Sequence, residues 1–234
     1  MNIEKRTAAV VLAGGSGSRM NTHTKKQYIE IQGKPLIFYA LNAFEHSCIE
    51  EVVLVTAPGE EEYCKINIVD KYNFSKVKHI TAGGKERYNS VFNGLSMLKN
   101  VDYVLIHDGA RPFITAGIIL SALENAKKYE ACVIAVQSKD TVKIADEDGF
   151  VASTPKRSTV WNIQTPQAFS YDLVFGAYKK IFDYEDELEI TDDAMVVEFA
   201  ANKKVKLVEG SYANIKITTV EDLKGIESYD FPKY

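Results

Sequence analysis

Short runs rich in β-branched and other apolar residues recur along the chain, and longer amphipathic stretches separate them. The runs span residues 8–12, 51–56, 77–80, 103–106 and 131–136. Runs of this length and composition predict strands. Between them, apolar residues recur at helical spacing, as at Leu36, Tyr39 and Ala43, or at Val91 and Leu95. Such spacing predicts helices that each pack one face on a sheet.

Strands that alternate with helices predict an α/β fold with a doubly wound, mostly parallel Rossmann-like sheet. The chain has 234 residues, of which 46% are hydrophobic. This is enough to bury a substantial core, and we interpret residues 1–234 as a single domain. Further along, the pattern predicts helices beginning near Tyr171, Thr191 and Thr219, with a strand over residues 205–208.

Residues 137–161 depart from this pattern because apolar and polar positions alternate around a turn at residues 146–149. This alternation predicts a β-hairpin arm that protrudes from the domain. A hairpin of this size has little core of its own. We therefore expect the arm to pack against a second copy of the chain in a homodimer.

Charge and composition exclude several classes of protein. The net charge is −4, and acidic and basic residues are mixed, so no basic stripe indicates a nucleic-acid partner. The three cysteines and four histidines are scattered, which argues against a disulfide framework and a local metal cluster. We expect reduced, mostly buried thiols. The apolar runs are short and the first enters a glycine loop, so we expect no signal peptide or membrane span, and a cytoplasmic location.

The first strand is followed by the segment AGGSGSRM at residues 13–20. Its three glycines let backbone N–H groups approach phosphate oxygens, and Arg19 and Lys26 add positive charge nearby. A triphosphate suits this chemistry, although a tight turn remains an alternative for the glycines. Met20 breaks the dinucleotide-binding fingerprint, and the Gly-Lys-Ser/Thr ending of a Walker A loop is absent.

Two further loops follow predicted strands. The first is AGGKERYNSV, at residues 82–91, in which Gly84 permits close backbone contact, Arg87 has several side-chain donors and Ser90 has a hydroxyl group. The alternative interpretation of this segment is the solvated start of a helix. The second is IHDGARP, at residues 106–112, in which the carboxylate of Asp108 follows an apolar strand and could hold Mg²⁺. The alternatives are that Asp108 caps a helix or lies in a surface turn. For Arg111 we favour a structural role, pairing with Asp108 or with another loop.

Three downstream residues have polar chemistry but no distinctive position. Arg157 lies on the predicted arm, Thr165 is predicted in a turn before Pro166, and Lys216 is predicted on a short strand. Isolated basic residues are usually solvated, so position alone assigns them no function.

Taken together, AGGSGSRM with Lys26-Gln27, GGKER with Ser90, HDGARP, Arg157, QTPQAF, TDDAMVVE and NIKIT resemble the 2-C-methyl-D-erythritol 4-phosphate cytidylyltransferase family. The resemblance extends over almost the whole chain. It implies a homodimeric nucleotidyltransferase, a cytidylyltransferase of non-mevalonate isoprenoid biosynthesis, which uses CTP and Mg²⁺. The nearest alternatives are a ribitol 5-phosphate cytidylyltransferase and a catalytically silent nucleotide-binding protein on the same scaffold.

The resemblance also implies roles for individual residues. Arg19, Lys26 and Lys216 are the expected catalytic cations, and Asp108 is the expected metal ligand. The expected nucleotide-binding residues are Ala13, Gly14, Gly15, Gly17, Gly84, Lys85, Arg87, Ser90 and Asp108. The expected acceptor-binding residues are Thr141, Arg157 and Thr165, of which Thr141 and Arg157 would reach the site of the partner subunit.

Four positions differ from some family members. Gly109 replaces an alanine, Lys85 replaces an aspartate, and Asn89 and Ala213 replace acidic residues, so the last two receive no role. The implied nucleophile is the phosphate of the acceptor, whose second pKa is about 6. A protein base is then unnecessary, and the enzyme aligns two anions and stabilises the charge that develops as pyrophosphate leaves.

Overall fold

The computed structural model describes residues 5–15, 25–184, 189–226 and 231. Its strands are β1 Thr7–Ala13, β2 Glu30–Ile31, β3 Lys34–Pro35, β4 Glu51–Thr56, β5 Val77–Ala82, β6 Tyr103–Asp108, β7 Ala131–Gln137, β8 Ile144–Ala145, β9 Val151–Ser153, β10 Trp161–Ser170 and β11 Lys206–Glu209. Its helices are α1 Leu36–Glu45, α2 Glu61–Cys64, α3 Arg87–Ser96, α4 Ala116–Tyr129, α5 Tyr171–Ile181, α6 Asp193–Ala201 and α7 Val220–Ile226. A π-helical segment, Lys65–Asp70, continues α2.

Seven strands form one sheet in the order β11-β7-β10-β6-β1-β4-β5. β10 runs antiparallel to β6 and β7, while the other neighbouring pairs are parallel. The predicted α/β fold with a mostly parallel sheet is therefore confirmed. The five predicted runs all lie within strands, and the predicted helix beginning at Tyr171 starts at that residue.

Two apolar layers cover the two faces of the sheet. Because successive side chains of a strand point to opposite faces, Ala9 and Val11 of β1 join the core under α1 and α4, while Ala8 and Val10 join the core under α3 and α5. Helices therefore cover both faces of the sheet, as in a doubly wound fold. All four residues are fully buried.

β8 and β9 pair antiparallel and form the predicted hairpin. Gly149 closes the turn at a φ of +85°, a conformation that glycine adopts without strain, and its N–H donates to the Asp146 carbonyl at 3.1 Å. Phe150 and Val151 at the tip are 73% and 61% exposed. The hairpin therefore carries apolar surface that this chain does not bury.

The predictions for two segments are wrong. Thr165 does not lie in a turn but within β10, at an irregularity in the pairing with β7, because residues 161–170 form a long strand between β6 and β7. Lys216 does not lie on a strand. Instead of a strand ladder, a 2.9 Å hydrogen bond from the Ile217 N–H to the Ala110 carbonyl connects its segment to the loop after β6. The Ile217 side chain packs in a buried cluster with Phe113.

None of the helices in the described ranges has both the length and the apolar character needed to cross a bilayer. The three cysteines are free thiols, of which Cys64 and Cys132 are buried and Cys48 is exposed. The expectation that the thiols are mostly buried is confirmed, and their reduced state stays a prediction.

Candidate active site

A cavity of about 440 Å³ lies at the carboxyl edge of the sheet, among the loops that follow β1, β5 and β6. This is the edge at which open α/β sheets bind ligands. The cavity is lined by ten of the residues singled out in the sequence: Ala13, Gly14, Gly15, Lys26, Gly84, Lys85, Arg87, Ser90, Asp108 and Lys216. Two other predicted residues, Gly17 and Arg19, lie outside the described residues.

Glycines allow the first two loops to pack against the end of β4. A Cβ atom at Gly14 would lie 3.0 Å from the Thr56 carbonyl oxygen, and one at Gly83 would lie 2.7 Å from Ser90 Oγ. The Gly83 N–H donates to the same Thr56 carbonyl at 2.7 Å. Close backbone approach, which only glycine permits here, therefore shapes this wall of the cavity.

Local capping places the side chains of the second loop. Glu86 and Asn89 form a reciprocal capping box at the start of α3, in which the Glu86 N–H donates to Asn89 Oδ1 at 2.9 Å. Ser90 Oγ accepts the Gly84 N–H at 3.0 Å. Asn89, which received no role from the sequence, thus fixes the turn that presents Lys85 to the cavity.

An ion pair supports the loop that carries Lys26. Lys25 Nζ lies 2.7 Å from a Glu60 carboxylate oxygen, and the Tyr28 hydroxyl donates to the other oxygen at 2.9 Å. Lys25 precedes the short 3-10 turn Lys26–Tyr28, and Tyr28 ends it. Glu60 therefore anchors both sides of this turn, and Lys26 lines the cavity.

Asp108 lies at the end of β6 and is 8% exposed. Lys216 Nζ lies 2.7 Å from its Oδ2 atom, and Arg87 Nε lies 3.4 Å from its Oδ1 atom. Burial alone would raise the pKa of this carboxyl group, but the charges of Arg87 and Lys216 outweigh burial and hold the pKa well below its usual range. Asp108 is therefore an ionised carboxylate at neutral pH.

Arg87 is held between two carboxylates. Its guanidinium group forms two hydrogen bonds with Asp193, at 2.7 and 2.8 Å, in addition to its contact with Asp108. Burial would lower the pKa of Arg87, but Asp193 and Asp108 outweigh it and raise the pKa. Asp193 is fully buried and accepts a further hydrogen bond from the Tyr178 hydroxyl at 2.5 Å. The guanidinium group is thus fixed in one orientation.

A second cavity of about 280 Å³ adjoins the first and shares Arg87, Asp108 and Lys216 with it. Thr165 lines this second cavity, as do Arg111, Thr191 and Asp192. The three shared side chains carry two positive charges and one negative charge. They therefore lie where a ligand in one cavity would meet a ligand in the other.

A buried histidine fixes the Thr165 hydroxyl. Thr165 Oγ1 accepts the Asp108 N–H at 3.1 Å and lies 3.0 Å from His107 Nδ1, while His107 Nε2 lies 3.3 Å from the Arg111 carbonyl. Burial lowers the pKa of His107 to about 4, so the ring is neutral. Because the Arg111 carbonyl can only accept a hydrogen bond, the proton of the neutral ring lies on Nε2. Nδ1 is then an acceptor, and the Thr165 hydroxyl donates to it.

Arg111 has the structural role predicted for it, because it joins its own loop to the segment of Asn214 and to β10. It donates to the Asn214 carbonyl at 2.7 Å and to the Ile163 carbonyl at 3.4 Å. Its Nε atom is buried and has no hydrogen-bond partner among the described residues. The Arg111 side chain also lines the second cavity.

The other two predicted acceptor-binding residues lie away from both cavities. Thr141 and Arg157 are exposed, and Arg157 donates to the Lys139 carbonyl at 3.3 Å near the base of the arm. Within this one chain, the structure therefore does not bring Thr141 and Arg157 together with Thr165.

Comparisons with known proteins place these features in a family. The model of the 2-C-methyl-D-erythritol 4-phosphate cytidylyltransferase family matches residues 7–229. The chain belongs to this family. It is therefore an enzyme of the cytidylyltransferase class of nucleotidyltransferases.

Individual family members agree with this assignment. The enzyme of this name from Lachnoclostridium phytofermentans is 46% identical over 219 residues, with 94% of each chain covered. The one from Lachnospira eligens is 48% identical over 217 residues, covering 92% of this chain and 95% of the relative. The crystal structure of 4-diphosphocytidyl-2C-methyl-D-erythritol synthase from Anaerococcus prevotii superposes with a TM-score of 0.85 at 38% identity, covering 96% of both chains.

Three buried polar residues that support the site were not assigned a role from the sequence. His107, Asp193 and Asn214 are all fully buried, although buried polar side chains are uncommon. The available signals were the paired aspartates of TDDA at the start of a helix and the histidine inside an apolar strand. Neither signal identifies a partner, because the partners of these residues come from distant segments.

Proposed function

We propose that the two adjoining cavities carry out the reaction of the family. CMP is transferred from CTP to 2-C-methyl-D-erythritol 4-phosphate, and 4-diphosphocytidyl-2-C-methyl-D-erythritol and pyrophosphate are released, a step of non-mevalonate isoprenoid biosynthesis. The observation that supports this most directly is the position of Arg87, Asp108 and Lys216 between the cavities. The larger cavity has the volume of a small-ligand site.

The larger cavity is the proposed nucleotide site. Its glycine loops, with which Gly17 is also proposed to act, offer backbone N–H groups to phosphate oxygens. Lys26 contributes positive charge, as is also proposed for Arg19. Gly84, Lys85, Arg87 and Ser90 are the proposed contacts to the cytosine and ribose. The bonds of Arg87 to Asp193 and Asp108 give it a fixed position while it lines the cavity.

The smaller cavity is the proposed acceptor site. Thr165 and Arg111 line it, and the positive charge of Arg111 suits an anionic group. The acceptor phosphate is itself the nucleophile, so the side chains have only to align it with the nucleotide and to stabilise charge on the transferred phosphate. Lys26 and Lys216 have the charge and the location for that stabilisation.

Thr141 and Arg157 are proposed to complete the acceptor site of a second copy of the chain. Their exposure, and the exposed apolar residues Ile144, Phe150 and Val151 on the same arm, support a homodimer in which the arm packs on its neighbour. The free thiols of the chain support a reducing compartment, and we propose that the enzyme works in the cytoplasm.

Asp108 is the proposed ligand of Mg²⁺. The described part of the chain has no group of three or more His, Cys, Asp or Glu residues that could hold a metal. One ionised carboxylate beside a phosphate site nevertheless fits Mg²⁺, which is commonly held by one or two carboxylates, substrate phosphates and water. When bound, the ion would neutralise charge on the phosphates of the nucleotide.

The experiment that tests this function measures pyrophosphate release by the purified enzyme with CTP, Mg²⁺ and 2-C-methyl-D-erythritol 4-phosphate. Parallel reactions replace the acceptor by ribitol 5-phosphate, or omit it. We expect release only with the methylerythritol acceptor. Faster release with ribitol 5-phosphate would reassign the acceptor, and binding of CTP without release with either acceptor would indicate a silent nucleotide-binding protein.

A further inference from the structure

Asp193 is a fully buried carboxylate that the proposed reaction does not yet use. It is the first residue of α6, whose N-terminus is capped by Asp192 through a 2.9 Å hydrogen bond from the Met195 N–H. Gln167 of β10 secures this helix end, because it donates to Asp192 at 3.0 Å and accepts the Ala194 N–H at 2.8 Å. The carboxylate of Asp193 is therefore held in place by the sheet.

The partners of Asp193 connect it to the cavities. Its two oxygens bind the two terminal nitrogens of Arg87, and the third nitrogen of the guanidinium group, Nε, faces Asp108. Asp108 in turn contacts Lys216 through its other oxygen. The four side chains form a row of alternating charge that runs from the interior to the boundary between the cavities.

A carboxylate without solvent contact is costly unless it is paired and hydrogen-bonded. Asp193 meets this condition with Arg87, with Tyr178 and with the favourable N-terminus of a helix. Without the charge of Asp193, the terminal nitrogens of Arg87 would have Asp108 as their nearest anionic partner. A bidentate bond from Arg87 to Asp108 would compete with Lys216 for the same carboxylate.

We propose that Asp193 is a positioning residue for the transfer reaction, acting through Arg87. By binding both terminal nitrogens of Arg87, Asp193 limits the contact of Arg87 with Asp108 to one nitrogen. The Oδ2 atom of Asp108 then remains available to Lys216, and Asp108 and Lys216 both stay at the boundary between the cavities. The proposal rests on the function proposed above for Asp108 and Lys216.

The test replaces Asp193 by asparagine, which has the same shape but no charge. We expect kcat to fall by about 10- to 100-fold, because small displacements of reacting groups have effects of this size. The loss of kcat should exceed any rise in the KM for CTP, which Arg87 is proposed to contact, since a group that acts on the transition state affects kcat more than binding. Thermal unfolding of each variant shows whether it is folded at the assay temperature.

The matched control is Asp172→Asn. Asp172 is also in the first turn of a helix, α5, but it is exposed and lies near the opposite edge of the sheet. This variant should keep wild-type kcat and KM. A loss in the control equal to that of Asp193→Asn would overturn the proposal, because the effect would then follow from net charge or helix stability.

Arg87→Lys tests the route of the effect and remains informative if Asp193→Asn does not fold. Lysine keeps the positive charge but lacks the planar guanidinium group that contacts Asp193 and Asp108 at the same time. In this variant kcat should therefore fall by at least about 10-fold. In the double variant, which combines Asp193→Asn with Arg87→Lys, kcat should fall by about as much as in Arg87→Lys alone. If the two single losses of kcat multiplied instead, Asp193 would not act through Arg87. An inactive wild-type enzyme would refute the proposed function itself, whereas an active wild type with multiplying losses refutes only the role of Asp193.

Discussion

Replacing Gly109 with alanine tests how tightly the nucleotide cavity is packed against β1 and α1. A Cβ atom at this position would lie 2.4 Å from Ile37 Cδ1 and 2.9 Å from the Leu12 carbonyl oxygen. Ile37 is 1% exposed, and the Gly109 N–H donates to the same carbonyl at 2.8 Å. The added methyl group therefore has to displace a core side chain and a strand carbonyl.

Overpacking of this kind costs about 1–3 kcal/mol of unfolding free energy. Ile37→Val removes the Cδ1 atom that the new methyl group would meet, and by itself costs about 0.5–1.5 kcal/mol. In the double variant the two changes fit together, so the combined loss should be smaller than the sum of the single losses by more than about 0.5 kcal/mol. The double variant should not regain all the stability lost in Gly109→Ala, because the new methyl group would still lie close to the Leu12 carbonyl oxygen.

Urea unfolding of the wild type, the two single variants and the double variant gives the coupling free energy directly. Loss of CTP affinity in Gly109→Ala, measured by titration, would show that the displaced carbonyl also shapes the cavity. Additive losses, within about 0.3–0.5 kcal/mol, would refute the predicted contact. An unchanged stability of Gly109→Ala would refute the close packing itself.

Three further predictions concern the charges of the site. Lys26→Ala should lower kcat by about 100-fold, and steady-state kinetics with an unchanged kcat would contradict its role at the transferred phosphate. Arg157→Ala should weaken binding of the acceptor and leave CTP binding intact, and equal losses in the two titrations would count against it. His107 has a folded-state pKa of about 4, below its usual value, so its contribution to stability is complete above about pH 6.5 and is lost as the pH falls towards 4. Urea unfolding across this range should show a loss of about 1.4 kcal/mol per pH unit in the wild type relative to His107→Gln, and parallel curves would refute it.

The sequence by itself determined the elements and the chemistry of the loops. Strand and helix positions follow from periodicities that extend over a few neighbouring residues, such as the apolar run at Glu51–Thr56. The glycines after β1 and β5, and Asp108 at the end of β6, could be assigned to one edge because parallel strands end on the same side. These conclusions need no knowledge of which distant residues meet.

The tertiary structure alone decided which side chains pair. Arg87 and Asp193 are 106 residues apart in sequence, and Asp108 and Thr165 are 57 apart. β10 enters the sheet antiparallel between β6 and β7, which brings Thr165 beside Asp108 instead of into the predicted turn. Pairings of this kind depend on how the chain crosses the sheet, and local periodicity carries no information about that path. The charges of the site are therefore visible in the sequence, whereas their orientation is a property of the fold.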